Sequence, residues 1–350
     1  MKRALVEKLA DPLTMIPLSV EAADVSGQDV ISGKLRSSEG GEYPVIRGIP
    51  RFVMTKDDGQ TQTGEAFGFK WKKRDTYDSP ASKRNAAEWY IDKYGFASLD
   101  EWARYFNSRR AIADIGCGSG FSSSLWLESP EWTGRAMWVG ADISEAIDVA
   151  QERLSSIPNT HFVQADALQL PFPDGSFDTL FSEGVLHHTP STRSALLSAA
   201  RILCPGGEAS FYVYKKKAPI REFTDDYVRD AIAGLSDEEA WNAMRAVTQL
   251  GRVLSEMNAT IDLPVDVPVL EIKAGSYDVQ RLIYWKFAKL YWNSALSFEE
   301  NVHINFDWYR PTYAHRQTED QVRTWCAEAN LEITRLHDSE AGYTVRAVRR

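Results

Sequence analysis

Cysteine is scarce in this 350-residue chain: Cys117, Cys204 and Cys326 are the only three, and they lie far apart. Three dispersed thiols build no disulfide framework and suit a reducing compartment, which points to the cytoplasm. Also missing is any run near the roughly 18 apolar residues of a membrane span, so no membrane partner is expected. Residues 1–20 carry Lys2, Arg3, Glu7, Lys8 and Asp11 where a signal peptide needs a continuous apolar stretch. Positive charge is not in excess, since 40 Lys and Arg stand against 49 Asp and Glu for a net charge of −9. That balance disfavours nucleic acid as a partner, because neutralising phosphates needs a basic face. The local string Lys70, Lys72, Lys73 and Arg74 is the exception. What the chain does have is core, with 43% hydrophobic residues supporting one large domain or two modest ones.

Against that background one stretch stands out, Ile112 to Gly120, reading Ile-Ala-Asp-Ile-Gly-Cys-Gly-Ser-Gly. Ala111–Ile115 has the length and aliphatic content of a strand buried on both faces, and Phe121–Leu127 can start a helix directly afterwards. Gly116, Gly118 and Gly120 let the backbone turn sharply and approach a ligand, while the helix N-terminus offers unpaired N–H groups to an anion. The spacing is G-x-G-x-G with Asp114 two residues upstream, whereas a dinucleotide fingerprint is G-x-G-x-x-G. This counts against a nicotinamide-dependent oxidoreductase. It is the opening motif of class I S-adenosylmethionine-dependent methyltransferases, and from here on the chain resembles that family.

Downstream, Ala136–Ser144 reads as a second buried strand ending in an acid. Asp142 lies 22 residues beyond Gly120, near the ~20-residue spacing at which a carboxylate reaches ribose hydroxyls. Its two oxygens can accept from both hydroxyls of a diol. Ser144–Ile157 follows as a helix, and Thr160–Leu168 as a third strand with its exit loop, tipped by Asp166. Leu170-Pro-Phe-Pro-Asp-Gly-Ser-Phe-Asp178, followed by Gly184-Val-Leu-His-His188, resembles the fourth strand of the methyltransferases grouped with those of quinone biosynthesis. Ser191–Leu203 is a helix, Cys204–Gly207 a turn, and Glu208–Tyr214 a fifth strand. This alternation predicts an α/β fold, a doubly wound, mostly parallel sheet with ligands at the carboxyl ends of its strands. The resemblance makes it seven-stranded and Rossmann-like, with Leu331–His337 and Tyr343–Val348 as two closing edge strands.

The family likeness implies S-adenosyl-L-methionine as cofactor, with Asp114, Gly116, Cys117, Gly118, Asp142, Ile143, Asp166, Ala167, Ser182 and Glu183 around it. Phe67-Gly-Phe-Lys-Trp71 resembles the lid that many relatives fold over the cofactor, which would bring Trp71 onto it. Phe67 and Trp71, four residues apart, read equally well as the core of a short helix.

Residues 1–54 are expected to form a separate module. The string from Leu9-Ala-Asp-Pro-Leu-Thr14 to Tyr43-Pro-Val-Ile-Arg-Gly-Ile-Pro-Arg-Phe-Val53 is similar to the zinc ribbon of the small activator subunit of tRNA methyltransferases. Asp11, Thr14, Ser37 and Gly40 occupy the positions of its four thiolates, so no metal is expected, and Tyr43, Pro44, Val45, Ile46, Ile49, Pro50 and Phe52 would form the core. An unrelated hairpin is the other reading. Residues 55–65 read as a polar linker and Ser82–Phe106 as one helix, and the cofactor domain would span 66–214 and 317–350.

Residues 215–316 are far longer than an ordinary connection and read as a helical cap that chooses the acceptor. Its expected helices are Phe223–Leu235, Asp237–Met257 and Val279–Leu296, with a Pro-containing piece, Ile261–Val269, between the last two. After them comes a polar loop, 301–318, holding Asn305, Asp307, Tyr309, Tyr313, His315 and Arg316.

Methyl transfer from a sulfonium needs acceptor and methyl in line, and a base only when the acceptor must lose a proton. The candidates for acceptor chemistry are His187, His188, His315, Asp307 and Tyr309. The two adjacent histidines also serve as helix-start or packing residues, and no carboxylate or thiolate at ligand spacing makes them a metal pair. The expected activity is methylation of a small-molecule or sugar-type metabolite, oxygen slightly ahead of nitrogen or sulfur. The alternative is a cofactor-binding scaffold or partner subunit without turnover. The acceptor and the oligomeric state are not legible.

Overall fold

The computed structural model describes residues 1–350 apart from Gln28 and Thr55. Strands β1 (Ser19–Ser26), β2 (Asp29–Arg36), β3 (Glu42–Ile46) and β4 (Ile49–Pro50) form an antiparallel sheet in sequence order. Side chains alternate along β3, so Tyr43 and Val45 turn inward while Pro44 and Ile46, expected in the core, face solvent. Val30, Leu35, Val45 and Phe52 join the same apolar cluster as Val139 and Val163 of the main sheet. The Phe52 amide donates to the Gln164 carbonyl at 2.8 Å, so the module is sewn onto an edge of that sheet.

Asp11 and Ser37, at two of the four ribbon ligand positions, are buried together. Asp11 Oδ1 accepts from the amides of Leu13 at 2.9 Å and Thr14 at 3.2 Å. Burial pushes its carboxyl up, but those amides and hydrogen bonds from Tyr43 and Ser37 hold it below the usual range. Among the described residues no group of three or more His, Cys, Asp or Glu side chains is placed to hold a metal ion.

Helix α1 (Asp58–Lys72) follows, capped by the Asp57 side chain on the Gln60 amide. Most of the presumed linker 55–65 is therefore helix. Its polarity misled because Gln60 and Thr63 face an internal cavity rather than solvent; Thr55 lies outside the described residues. The single helix expected over 82–106 is two, α2 (Pro80–Tyr94) and α3 (Leu99–Asn107). Gly95 ends the first in the left-handed region at φ 75°, and Ser98 caps the second.

The alternating part runs β5 (Ala111–Ile115), α4 (Phe121–Leu127), β6 (Met137–Asp142), α5 (Ala146–Leu154), β7 (Thr160–Gln164), β8 (Phe177–Glu183), α6 (Thr192–Arg201), β9 (Leu203–Tyr214). The insertion holds α7 (Pro219–Ile232), α8 (Asp237–Glu256), the hairpin β10 (Thr260–Leu263) and β11 (Gly275–Asp278), α9 (Val279–Lys286) and α10 (Phe298–Tyr309). Helix α11 (Glu319–Glu328) and strands β12 (Leu331–Asp338) and β13 (Gly342–Arg349) complete the chain.

The seven strands lie in the order β12-β13-β9-β8-β5-β6-β7, parallel except for β13, which runs antiparallel to both its neighbours. The fold is the expected doubly wound α/β sheet. Strand β13 is interior, however, not an edge: it pairs with β9 along its length, burying Tyr343, Val345 and Ala347. Every residue of β5 is buried, with Ala113 and Ile115 in one apolar cluster and Ile112 in the other. No described helix is long and apolar enough to cross a membrane.

Two expectations for the insertion fail together. Helix α9 stops at Lys286, and residues 287–297 are irregular, whereas the presumed polar loop is largely α10. Ser297 and Glu300 form a capping box that starts α10. Asn301, Asn305 and Tyr309, one helical turn apart, then accept the backbone amides of Asn293 at 2.7 Å, Tyr291 at 3.0 Å and Lys289 at 3.0 Å. The polar face of the helix satisfies an extended segment that has no ladder of its own.

Candidate active site

A cavity of about 750 Å³ opens where β5, β6, β8 and β9 end, within the ~300–1,000 Å³ of ligand pockets. One half is built by the glycine turn. Gly116 has φ 76°, and a Cβ there would sit 2.2 Å from the Val185 side chain. A Cβ on Gly118 would lie 2.7 Å from Trp71 Nε1, so α1 roofs the turn. Phe67 and Trp71 both line the cavity, and Trp71 also packs edge-on against Tyr77, ring centroids 4.8 Å apart. The pair therefore packs as a helix core would and forms part of the cavity wall.

Asp142 reaches the cavity from the end of β6. Its Oδ2 accepts the Gly118 amide at 2.8 Å, and its Oδ1 accepts Ser144 N at 2.8 Å and Oγ at 2.6 Å. Burial raises its pKa against those hydrogen bonds. Ile143, Ala167, Gly116 and Glu183 line the same space. Glu183 pairs with buried Lys93 and accepts the Tyr94 hydroxyl at 2.5 Å.

Other residues proposed for the cofactor lie behind the wall. Asp114 is buried under it, accepting the Ser123 hydroxyl at 2.6 Å, and Ser182 donates to the Ile115 carbonyl at 2.9 Å. Cys117 is buried, which pushes its thiol pKa well up. Asp166 accepts the Leu168 amide at 2.9 Å and shapes the loop that exposes Ala167. Gly118 is covered by Trp71.

The second half is roofed by the insertion. Asp307, on the cavity face of α10, pairs with buried Lys70 and accepts the Tyr214 hydroxyl at 3.0 Å. Burial pushes Asp307 up, but Lys70 and then His188 outweigh it and hold the carboxyl well below its usual range. His188 lines the cavity with its Nδ1 2.6 Å from the Tyr313 carbonyl. A carbonyl only accepts, so Nδ1 carries the proton and the buried Nε2, which has no partner among the described residues, keeps its lone pair. Burial lowers His188 to about 4, so the ring is neutral at pH 7.

The remaining candidates are not in the cavity. His187 is wholly buried with its ring 3.7 Å from that of Tyr214. His315 lines a separate surface hollow with Arg229 and Arg316, and Tyr309 donates to Asp225 at 3.0 Å while accepting from Lys289 N. Each cation of the basic string has an acid partner: Lys70 with Asp307, Lys72 with Glu145 and Lys73 with Glu238 across the fold, and Arg74 locally with Asp78.

The family model described as "Methyltransferase domain" matches residues 113–211, the stretch from β5 into β9 that carries these strand ends. Residues 113–211 are a class I methyltransferase domain. Its cofactor is S-adenosylmethionine. A 27-O-demethylrifamycin SV methyltransferase of Amycolatopsis mediterranei is 35% identical over 100 residues, 27% of this chain and 35% of that protein. A probable tRNA methyltransferase 9B of Homo sapiens is 34% identical over 116 residues, 32% of this chain and 23% of that protein. The uncharacterized methyltransferase YcgJ of Bacillus subtilis is 29% identical over 190 residues, 50% of this chain and 72% of that protein. The chain thus spans about a third or less of the first two relatives' lengths.

The methyltransferase domain's residues fit that cofactor. Asp142 presents a buried carboxylate beside a turn that admits no Cβ, and Ile143 and Ala167 offer apolar flanks for a base. Sequence reasoning missed Lys217, Lys289 and His303, which also line the cavity. They stand outside the methyltransferase domain and belong to no spaced motif.

Proposed function

We propose that the protein transfers the methyl group of S-adenosylmethionine to a small-molecule acceptor enclosed between α1 and the 215–316 insertion. The observation that carries this reading is the continuity of the cavity, which joins Gly116 and Asp142 to Tyr284 and Lys289 in one space. When bound, the cofactor supplies a methyl group on a positively charged sulfur. The chain's own contribution is to hold the acceptor in line and to keep water out, the part of catalysis worth most in such a displacement. The pairing of each cation in the 70–74 string with an acid supports a small metabolite over RNA, although the names of several relatives contain a tRNA.

An oxygen acceptor is favoured by His188, which lines the cavity and whose unprotonated Nε2 is buried and unpaired among the described residues. Its task would be to take the hydroxyl proton as the methyl arrives. His188→Ala is expected to lower kcat about 100-fold or more with little change in KM, the usual size of a general-base contribution. An unchanged kcat would remove that role. To test the function as a whole, the protein is incubated with radiolabelled S-adenosylmethionine and either the small-molecule or the RNA fraction of a host extract. Label is expected in the small-molecule fraction. Label confined to RNA would overturn the reading, and binding without turnover in both would favour the scaffold.

The N-terminal module is read as a metal-free relic of a zinc ribbon. Support comes from Asp11, which gathers the Leu13 and Thr14 amides and bonds from Ser37 and Tyr43, tying together the two turns a metal would otherwise join.

A further inference from the structure

We infer that the acceptor carries an anionic group, a carboxylate or a phosphate, held by Lys217 and Lys289 in the insertion half of the cavity. This rests on the proposed function, whose acceptor class it narrows. Four cations surround the indole of Trp308: Lys289 Nζ at 4.6 Å from the ring centroid, Arg221 Cζ at 5.3 Å, Arg229 Cζ at 5.6 Å and Lys217 Nζ at 5.7 Å. Lys217, Arg221, Lys289 and Trp308 itself all line the cavity.

Three of the nearby acids are already committed. Asp225 holds Arg221 at 2.7 Å and the Tyr309 hydroxyl at 3.0 Å. Glu222 takes Arg316 at 2.8 Å and the Lys217 backbone amide at 2.7 Å, and Asp307 belongs to Lys70 and Tyr214. Glu340 lines the rim, but its side chain forms no ion pair among the described residues.

Neither cavity lysine has an ion pair among the described residues. Lys217 Nζ donates to the carbonyls of Glu340 at 2.5 Å and Ala341 at 2.6 Å, which leaves one of its three protons for a ligand. Lys289 is 7% exposed, and its Nζ makes no hydrogen bond among the described residues. Buried cations without a directly paired carboxylate are costly, more so beside Arg221 and Arg229, and a chain of net charge −9 has carboxylates enough to have paired them. Burial lowers both lysines to about 7, with Arg221 adding to the fall of each and the more distant charges of Asp307 and Asp225 on Lys289, and of Asp225 and Glu222 on Lys217, opposing it. A bound anion supplies the missing charge and favours the ammonium forms, so its affinity should weaken as pH rises above 7.

The test is calorimetric titration of the full chain, saturated with S-adenosylhomocysteine, with benzoate, inorganic phosphate and neutral benzamide. One of the two anions should bind saturably and about tenfold or more tighter than benzamide, and which one it is separates the carboxylate from the phosphate. Lys289→Met should weaken that anion tenfold or more, the usual worth of a hydrogen bond to a charged group. Lys289→Arg should retain it, and S-adenosylhomocysteine affinity should stay the same in both. Lys217→Met provides the same reading should Lys289→Met misfold. Benzamide binding as tightly as the anions, or an anion affinity unmoved by removal of either lysine, would overturn the inference. Failure of S-adenosylhomocysteine to bind would fall on the cofactor assignment instead, because the anion titrations also run without it.

Discussion

Asp142→Asn is expected to lose at least about 100-fold in affinity for S-adenosylmethionine while the protein stays folded. Both carboxylate oxygens are in use, one on the Gly118 amide at 2.8 Å and the other on Ser144 N and Oγ. An asparagine keeps one acceptor oxygen and brings a donor, so either the glycine turn or the start of α5 loses its partner. The amide also cannot accept from both hydroxyls of a ribose. Hydrogen bonds to a charged group are worth about 1.5–3 kcal/mol each, and two of them exceed two decades of affinity. Asp142→Ala goes further, since it leaves the buried Gly118 amide without its acceptor and loosens the turn itself. Calorimetry with S-adenosylhomocysteine, beside a thermal melt, measures both effects. An affinity for the asparagine variant within threefold of the parent would remove Asp142 from the site.

The second large effect concerns stability rather than binding. Asp114 is wholly buried at the end of β5, and burial raises its carboxyl to about 7, with the charges of Asp142 and Glu183 adding to the rise. Between its ordinary pKa and about 7, the folded chain binds a proton that the unfolded chain has released. The stability this group contributes is therefore present in acid and is lost as pH rises through that window. About three pH units at 1.36 kcal/mol each bounds the loss near 4 kcal/mol. Asp114→Asn keeps an oxygen for the Ser123 hydroxyl, which in turn accepts Trp138 Nε1 at 3.2 Å, and it has no charge to bury. Its unfolding free energy, compared with that of the parent in urea at pH 5 and pH 8, should improve by a few kcal/mol more at pH 8. Equal differences at the two values would show that the carboxyl does not titrate in this range.

Much of the domain was legible from the chain. Gly116, Gly118 and Gly120 announce the turn because their positive φ angles suit few other residues. An acid two residues before them, and others after the second and third strands, follow from strand ends that lie next to each other in sequence pattern and in space. Less legible was the insertion. Its aromatic stripe after Val279 suggested a helix through Leu296, yet the segment after Lys286 is irregular and clamped by Asn301, Asn305 and Tyr309. Asn305 and Tyr309 looked like ligand groups because a helix face that serves a neighbouring backbone needs the same polar atoms as one that serves a substrate.

The choice among histidines was likewise not readable. His187 and His188 are chemically identical neighbours, and what separates them is the Tyr313 carbonyl, 125 residues further on, which fixes one ring proton of His188. Lys70 had the look of a surface charge until Asp307, 237 residues away, was found against it.

By itself the sequence determined the α/β alternation, the glycine turn and the acid behind it, since these depend on residues within a few positions of one another. Tertiary structure alone decided which polar side chains share the cavity, because that is set by the docking of α1 and the insertion across the strand ends. Residues hundreds of positions apart meet there through packing, and no local spacing records the meeting.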